Sequence, residues 1–256
     1  MNLMMASRPK ISSPAYWEQI ALNELPDSIF VAVHEEIIRD LPDLGNLTEN
    51  AKRLRYRIEL AGIRSRPVDY DLESLSFNQA FFFRNFYKCL CLLSADRTSL
   101  ASDFVADLGA GAGPFALAAT LMRGVEFQRL IIIDQSHSQL SLARSIFSTK
   151  GIRGVNLKNA SLFEAAPPAE YHRISSYWLC DSEFLGNYSD IKNHLLIGHG
   201  ALLLDYPDIL EAVVASLDRS AFECRLLSLS VRPGHAVRSI LEKDDVSIYG
   251  LSVTRR

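Results

Sequence analysis

Residues 105–114 read Val-Ala-Asp-Leu-Gly-Ala-Gly-Ala-Gly-Pro. A short apolar run, Phe104–Leu108, enters a turn with three glycines, and an alanine- and leucine-rich stretch follows from Pro114. Glycines at alternate positions permit a tight turn. They also let main chain approach a ligand where a side chain would intervene. Proline suits the first position of a helix, where no amide donor is missed. The helix start then offers unpaired amides and a positive dipole end to an electron-rich group. The spacing departs from the dinucleotide pattern G-x-G-x-x-G, because the third glycine arrives one position early and Pro114 takes its place. The GK[ST] of a phosphate-binding loop is absent. A turn of this kind also serves simply to join a strand to a helix, so the reading depends on its surroundings.

Downstream, Leu130-Ile131-Ile132-Ile133-Asp134 is a buried strand ending in an acid, 27 positions after Asp107. An acid at the tip of a second strand can accept both hydroxyls of a ribose. The alternative use of Asp134 is to cap the helix predicted over 137–150, although Ser136 is available for that. Further apolar runs at 155–158, 174–179, 201–205, 222–231 and 246–255 alternate with helical patterns at 113–123, 137–150, 188–197, 207–218 and 235–242. Such alternation predicts a mostly parallel sheet with helices on both faces, and the long, alternating last two runs predict an antiparallel pair.

The stretch D-x-G-x-G-x-G from Asp107, followed by the acid-tipped strand, resembles class I S-adenosylmethionine-dependent methyltransferases. The likeness covers about 105–205, where Gly198-His199-Gly200 and the apolar run to Asp205 resemble the turn and fifth strand of that fold. It implies an α/β, Rossmann-like, seven-stranded, mostly parallel sheet in the order 3-2-1-4-5-7-6, with the last strand antiparallel and an N-terminal helical cap. It also implies S-adenosylmethionine as cofactor and S-adenosylhomocysteine as product. Asp107, Gly109, Ala110, Gly111 and Gly113 would then form the loop near the methionine amino group, Asp134 would hold the ribose, and Gln135 would lie beside the adenine. Ser161, with Leu162 after it, stands where the family often has an acid on the adenine amine; a hydroxyl can accept the same hydrogen bond. The N-P-P-[YF] motif of nucleic-acid amino-methylating enzymes is missing after the 174–179 run, which argues against an exocyclic amine as acceptor. Tyr177, Trp178, Asp181 and Glu183 are candidates for the acceptor pocket, with Tyr177 and Asp181 the candidate catalytic pair. The two aromatics read equally as core, and Asp181 as a helix cap.

Residues 1–98 read as a helical cap or substrate-binding region and 99–256 as the cofactor-binding core. Helical spacing is predicted over Tyr16, Trp17, Ile20, Ala21 and Leu25, then over 28–40, from 48–50 to Gly62, and over 76–93. The last of these, SFNQAFFFRNFYKCLCLL, has too many aromatics for one face, so part of it is expected to meet a ligand or the second domain. Arg84 and Tyr87 on it are candidates for the methionine carboxylate, since arginine offers a two-pronged donor. Residues 51–66 carry six cations against Glu59 alone. Such a run is usually a solvated helix face, and otherwise a docking patch for a carboxylate or phosphate.

The chain of 256 residues is 48% hydrophobic, enough to bury a sizeable core, and its net charge of −3 shows no basic excess of the kind that nucleic-acid binders carry. The N-terminus has no secretory apolar region, and no run of apolar residues is long enough to span a membrane, so a cytoplasmic protein without a membrane partner is expected. Cys89, Cys91, Cys180 and Cys224 lack metal-binding spacing, the six histidines form no spaced pair, and no metal is expected. The expected activity is methyl transfer to an O, N or C nucleophile on a small molecule or peptide, as in natural product biosynthesis. Two rivals stand beside it: an RNA methyltransferase using the 51–66 patch, and a non-catalytic nucleoside-binding scaffold.

Overall fold

The computed structural model describes residues 16–61, 68–161, 166–180 and 200–256. The sheet is built from β1 (Trp17–Gln19), β2 (Phe104–Leu108), β3 (Arg129–Asp134), β4 (Val155–Asn159), β5 (His172–Ser176), β6 (Gly200–Leu204), β7 (Phe222–Val231) and β8 (Val246–Arg255). Its order is β1-β7-β8-β6-β5-β2-β3-β4. Every pairing is parallel except those of β8, which runs against both β6 and β7. The sheet therefore has eight strands where seven were expected, and its order differs by the added edge strand.

That strand corrects the helix expected at the start of the chain. Trp17–Gln19 pairs with Leu226–Ser228 along the outer edge of β7. An open edge presents unpaired amides and carbonyls, and three residues of extended chain satisfy them. Side chains fix the segment in place: the Trp17 ring meets Tyr249 edge-on, and its Nε1–H donates to Glu211 at 2.7 Å. Helical spacing of a few apolar residues lost to a vacant sheet edge. The 174–179 run is corrected too, because β5 ends at Ser176.

Helices α1 (Asp27–Asp40), α2 (Pro42–Gly45), α3 (Glu49–Ala61) and α4 (Ser74–Ala95) precede the main strands, and α5 (Pro114–Arg123), α6 (His137–Thr149), α7 (Pro207–Ser216) and α8 (His235–Leu241) alternate with them. Side chains alternate across the pleat. Val105, Ile132, Ile174 and Leu202 point to the face covered by α1, α4, α5 and α6, whereas Ala106, Leu108, Ile133 and Leu203 join α7. Leu54 and Ile58 of α3 belong to this second cluster. Phe30, Phe86 and Leu90 share one buried cluster with Ile174 and Ile248, so the early helices and the sheet have a common core. The helix expected over 188–197 lies outside the described residues, as does Gly62. Among the described residues no helix is long and apolar enough to cross a membrane.

The chain lays β2, β3 and β4 in one direction and then returns to place β5 on the other side of β2. Ligand crevices in open α/β sheets form at the carboxyl ends of the strands where the order reverses in this way. Helix α4 crosses above that point. One stripe of it (Phe77, Asn78, Phe81, Asn85, Lys88) lines a cavity there, and the opposite stripe packs on α1.

Tyr87 belongs to the second stripe. Its ring is fully buried against Phe30, and its hydroxyl donates to Asp27 at 2.7 Å. It faces away from the cavity, so it does not reach the place proposed for the methionine carboxylate. Tyr87→Phe should cost on the order of 1 kcal/mol through loss of this bond, read as a lower urea midpoint. Binding of an adenosyl ligand should be unchanged, and a Tyr87→Phe protein that bound such a ligand tenfold more weakly would return Tyr87 to the site.

Candidate functional site

The cavity has a volume of about 560 Å³, within the range of small-molecule sites. Its floor is made by the turns after β2, β3, β4, β5 and β6, and its roof by α3 and α4. Gly109, Ala110, Gly111, Asp134, Gln135, Ser161, Arg84 and Tyr177 all line it. Asp107, Gly113 and Tyr87 do not. Leu162, Asp181, Ser182 and Glu183 lie outside the described residues.

The glycine loop has the left-handed conformation at Gly109, Gly111 and Gly113, with φ of +57°, +55° and +77°. At Gly109 a Cβ would lie 2.4 Å from the Trp178 ring, so only glycine lets that indole close over the loop. Asp134 fixes the other side. Its Oδ2 accepts from the Gly111 amide and its Oδ1 from the Ser136 amide, both at 2.8 Å. Ser136 itself caps α6, its Oγ accepting from Gln139 N. The capping role therefore falls to Ser136, and Asp134 instead ties the β3 turn to the glycine loop. Gln135 is exposed at the rim, held by Asn159 Nδ2–H donating to its carbonyl.

Asp107 lies beneath the loop, fully buried. Its Oδ2 accepts from Ala116 N in the first turn of α5, and its Oδ1 is buried without a hydrogen-bond partner among the described residues. Burial, with Asp134 nearby, pushes its carboxyl up to about 8. An orphaned buried acceptor is costly.

Segment 69–78 completes the wall beside the turn after β3. Asp71 Oδ1 accepts from Ser136 Oγ and from Ser138 N, and Asn78 Nδ2 donates to Gln139 Oε1 at 2.8 Å. Sequence reasoning passed over Asn78, although a polar residue inside an aromatic helix is itself a signal.

The turn after β5 holds Tyr177 at φ +55°, an unusual conformation for a bulky side chain. Its amide donates to Leu204 O, and the following turn is held by Asp205, whose Oδ2 accepts from Leu179 N and Oδ1 from Tyr206 N. Burial raises the Asp205 carboxyl to about 7. Above this turn the Lys88 ammonium donates to the Tyr177 hydroxyl at 2.6 Å and lies 4.9 Å from the centre of its ring. Burial, with Arg84 and Lys243 nearby, lowers Lys88 to about 8. Lys88 carries no motif, so spacing alone gave no reason to single it out. Arg84 lines the same region, but its guanidinium is held by Glu59 at 2.7 Å and by Leu241 O at 2.8 Å.

The chain matches no family model and no curated protein. Among solved structures it is similar to a ribosomal protein L11 methylase from Lactobacillus delbrueckii subsp. bulgaricus. That pair is 18% identical, covering 68% of this chain and 80% of that one, with a TM-score of 0.47. It is also similar to a precorrin-6y C5,15-methyltransferase from Geobacter metallireducens GS-15, at 17% identity over 66% and 86% of the two chains and a TM-score of 0.47. TrmN from Thermus thermophilus is 20% identical over 68% of this chain and 53% of its own, again with a TM-score of 0.47.

The two raised carboxyls set a pH dependence. Asp107 and Asp205 stay protonated in the folded chain up to about 8 and about 7, whereas an unfolded aspartate ionises near pH ~4. The folded state therefore binds more protons across that window, and stability falls as pH rises through it. Asp107→Asn should make the fall shallower, measured as urea unfolding at about pH 5 and about pH 8. Parallel pH profiles for wild type and variant would show that Asp107 does not titrate in this way.

Proposed function

We propose that this chain is a class I S-adenosylmethionine-dependent methyltransferase acting on a small molecule. The observation that carries the reading is the single cavity wall formed by Gly109, Gly111, Asp134, Gln135 and Ser161, three separate turns at the carboxyl ends of β2, β3 and β4. A left-handed glycine loop and a carboxylate at the tip of β3 that is tied to it match the main-chain donors and the acid that an adenosyl amino acid needs.

In this reading Asp134 takes the ribose hydroxyls, Ser161 and Gln135 flank the adenine, and the loop over Asp107 receives the amino acid end. When bound, S-adenosylmethionine supplies an already electrophilic methyl group. The protein's share is then chiefly to orient the acceptor and exclude water. The roof of α3 and α4 (Ile58, Phe77, Phe81 and Phe82) provides an apolar lid for that purpose, which fits residues 1–98 as the substrate-binding part and 99–256 as the cofactor-binding part.

The charges of α3 favour a small acceptor over RNA. Lys52 pairs with Glu49, Arg55 with Glu242, and Arg57 with Glu73. Cations already tied to carboxylates gain less from releasing counterions off a phosphate backbone. Arg64 and Arg66 lie outside the described residues.

Titration calorimetry with S-adenosylhomocysteine should give one site per chain. Asp134→Ala should weaken it by on the order of tenfold or more, since a charge-assisted bond is lost. A wild-type protein that takes up no S-adenosylhomocysteine or S-adenosylmethionine at millimolar concentration is not a methyltransferase of this kind.

A further inference from the structure

The cavity has a second half that the nucleoside does not need. Adenosine binding uses the turns after β2, β3 and β4. The turns after β5 and β6, with the start of β8, contribute Tyr177, Trp178, Tyr206, Val246 and Ser247 instead. Phe81, Phe82 and Lys88 of α4 face this half from above.

Its charges are unbalanced. Arg84 and Lys88 of α4 and Lys243 before β8 line it, against Glu59 of α3 and Asp245. Glu59 is engaged by Arg84 at 2.7 Å and by Lys243 at 3.8 Å. Lys88 has no ion-pair partner among the described residues; it is held by the hydroxyl and the ring face of Tyr177. That bond uses the tyrosine oxygen as acceptor, so the tyrosine's own proton stays available. Two N–H donors of the lysine stay available as well. A partly buried ammonium held by a neutral phenol alone is costly. It becomes favourable when an oxyanion arrives to take the remaining donors.

We propose that Lys88 and Tyr177 form the acceptor subsite of the methyltransferase reading, and that they bind a small aromatic acceptor through an acidic hydroxyl, that of a phenol, whose oxygen receives the methyl group. The aromatic walls suit a flat ring, with Phe81, Trp178 and Tyr206 around the pair. Lys88, lowered by burial to about 8, exchanges its proton near neutrality. As the acceptor enters, the Lys88 ammonium releases a proton to solvent; the acceptor O–H bond then breaks with its proton passing to the resulting amine, and the oxyanion is held by the re-formed ammonium and by the Tyr177 hydroxyl. The oxyanion then forms the O–C bond as the S–C bond breaks, its electron pair remaining on sulfur, and Lys88 ends as the ammonium it began as. The left-handed backbone at Tyr177 sets its phenol beneath Lys88; it is a constraint on placement, not on the protonation step.

The inference rests on the cofactor reading, and its test separates the two. The full chain is saturated with S-adenosylhomocysteine and titrated with 4-nitrophenol, whose ionised form absorbs in the visible, with 4-nitroanisole as the uncharged control. Below the free probe's own pKa, the wild-type protein should bind 4-nitrophenol in its ionised form, and 4-nitroanisole should compete poorly. Lys88→Met should abolish the ionised spectrum and weaken binding by on the order of tenfold. Lys88→Arg keeps the charge and should retain the spectrum, which guards against loss of fold as the cause. An equal spectrum in wild type and Lys88→Met, or no binding of the phenol to the loaded wild type, overturns the acceptor proposal and leaves the cofactor reading standing. If Lys88→Met loses S-adenosylhomocysteine but keeps 5′-methylthioadenosine, which lacks the amino acid end, Lys88 serves the cofactor carboxylate and the proposal is overturned. If the wild type binds no S-adenosylhomocysteine, the failure belongs to the cofactor reading.

Discussion

The hydrogen bond from the Gly111 amide to Asp134 holds the cavity floor together. It joins the turn after β2 to the turn after β3, beside the bond from the Ala110 amide to the Ile133 carbonyl. The same carboxylate takes the Ser136 amide, and Ser136 in turn caps α6 and donates to Asp71. Asp205 does the equivalent work on the far side, holding the Leu179 and Tyr206 amides. Asp107 holds the first turn of α5 from below. Where parallel strands end, ladder bonding stops and main-chain donors are left over. Here carboxylates from neighbouring strand tips collect them, so the rigidity of the sheet extends into its loops. The cost is desolvation, visible in the raised carboxyls of Asp107 and Asp205.

Helix α4 is the second organising element. A helix of 22 residues is about 33 Å long at 1.5 Å per residue, enough to cross the whole carboxyl edge. Its start reaches the nucleoside side through Asn78 and Gln139, its middle carries Lys88 above Tyr177, and its end is sealed in the core by Leu90, Leu92 and Leu93. Aromatic residues surround it because it has two buried faces, one toward α1 and one toward the cavity. The cation on such a helix must be answered by neighbours. Arg84 is answered by Glu59, and Lys88 by a phenol alone among the described residues.

The nucleoside half was legible in the sequence for a physical reason. A loop built from main chain demands glycine at left-handed positions, and 105–114 displays that demand in consecutive residues. Strand β3 likewise shows its burial as four apolar residues before an acid. The acceptor half was legible only in part, through Tyr177, Trp178 and Arg84. Its other members come from α4, the turn after β6 and the start of β8, so no spacing connects them. Trp17 misled in the opposite direction, because its helical neighbours outweighed a sheet edge that no local pattern reveals. Tyr87 was placed at the site together with Arg84 because both precede the glycine strand. On a helix, three positions bring residues near one another, yet Tyr87 turns to Asp27 and the core while Arg84 turns to Glu59.

The contrast between the halves bears on how specificity arises in this fold. Main-chain amides and glycines make the glycine loop itself insensitive to most side-chain changes around it. The acceptor half is made of side chains on a roof and on loop tips, where substitution alters chemistry without disturbing the strands beneath. Arg84 and Lys88 lie one helical turn apart, yet only Arg84 forms a direct ion pair with Glu59. Were Arg84 the cation left for the ligand, the same fold would offer a two-pronged planar donor, suited to a carboxylate, in place of a point charge suited to a single oxygen. In the proposed acceptor subsite the deciding side chains are therefore few, Lys88 of α4 and Tyr177 after β5 with Arg84 and Glu59 beside them, and none lies on the glycine loop.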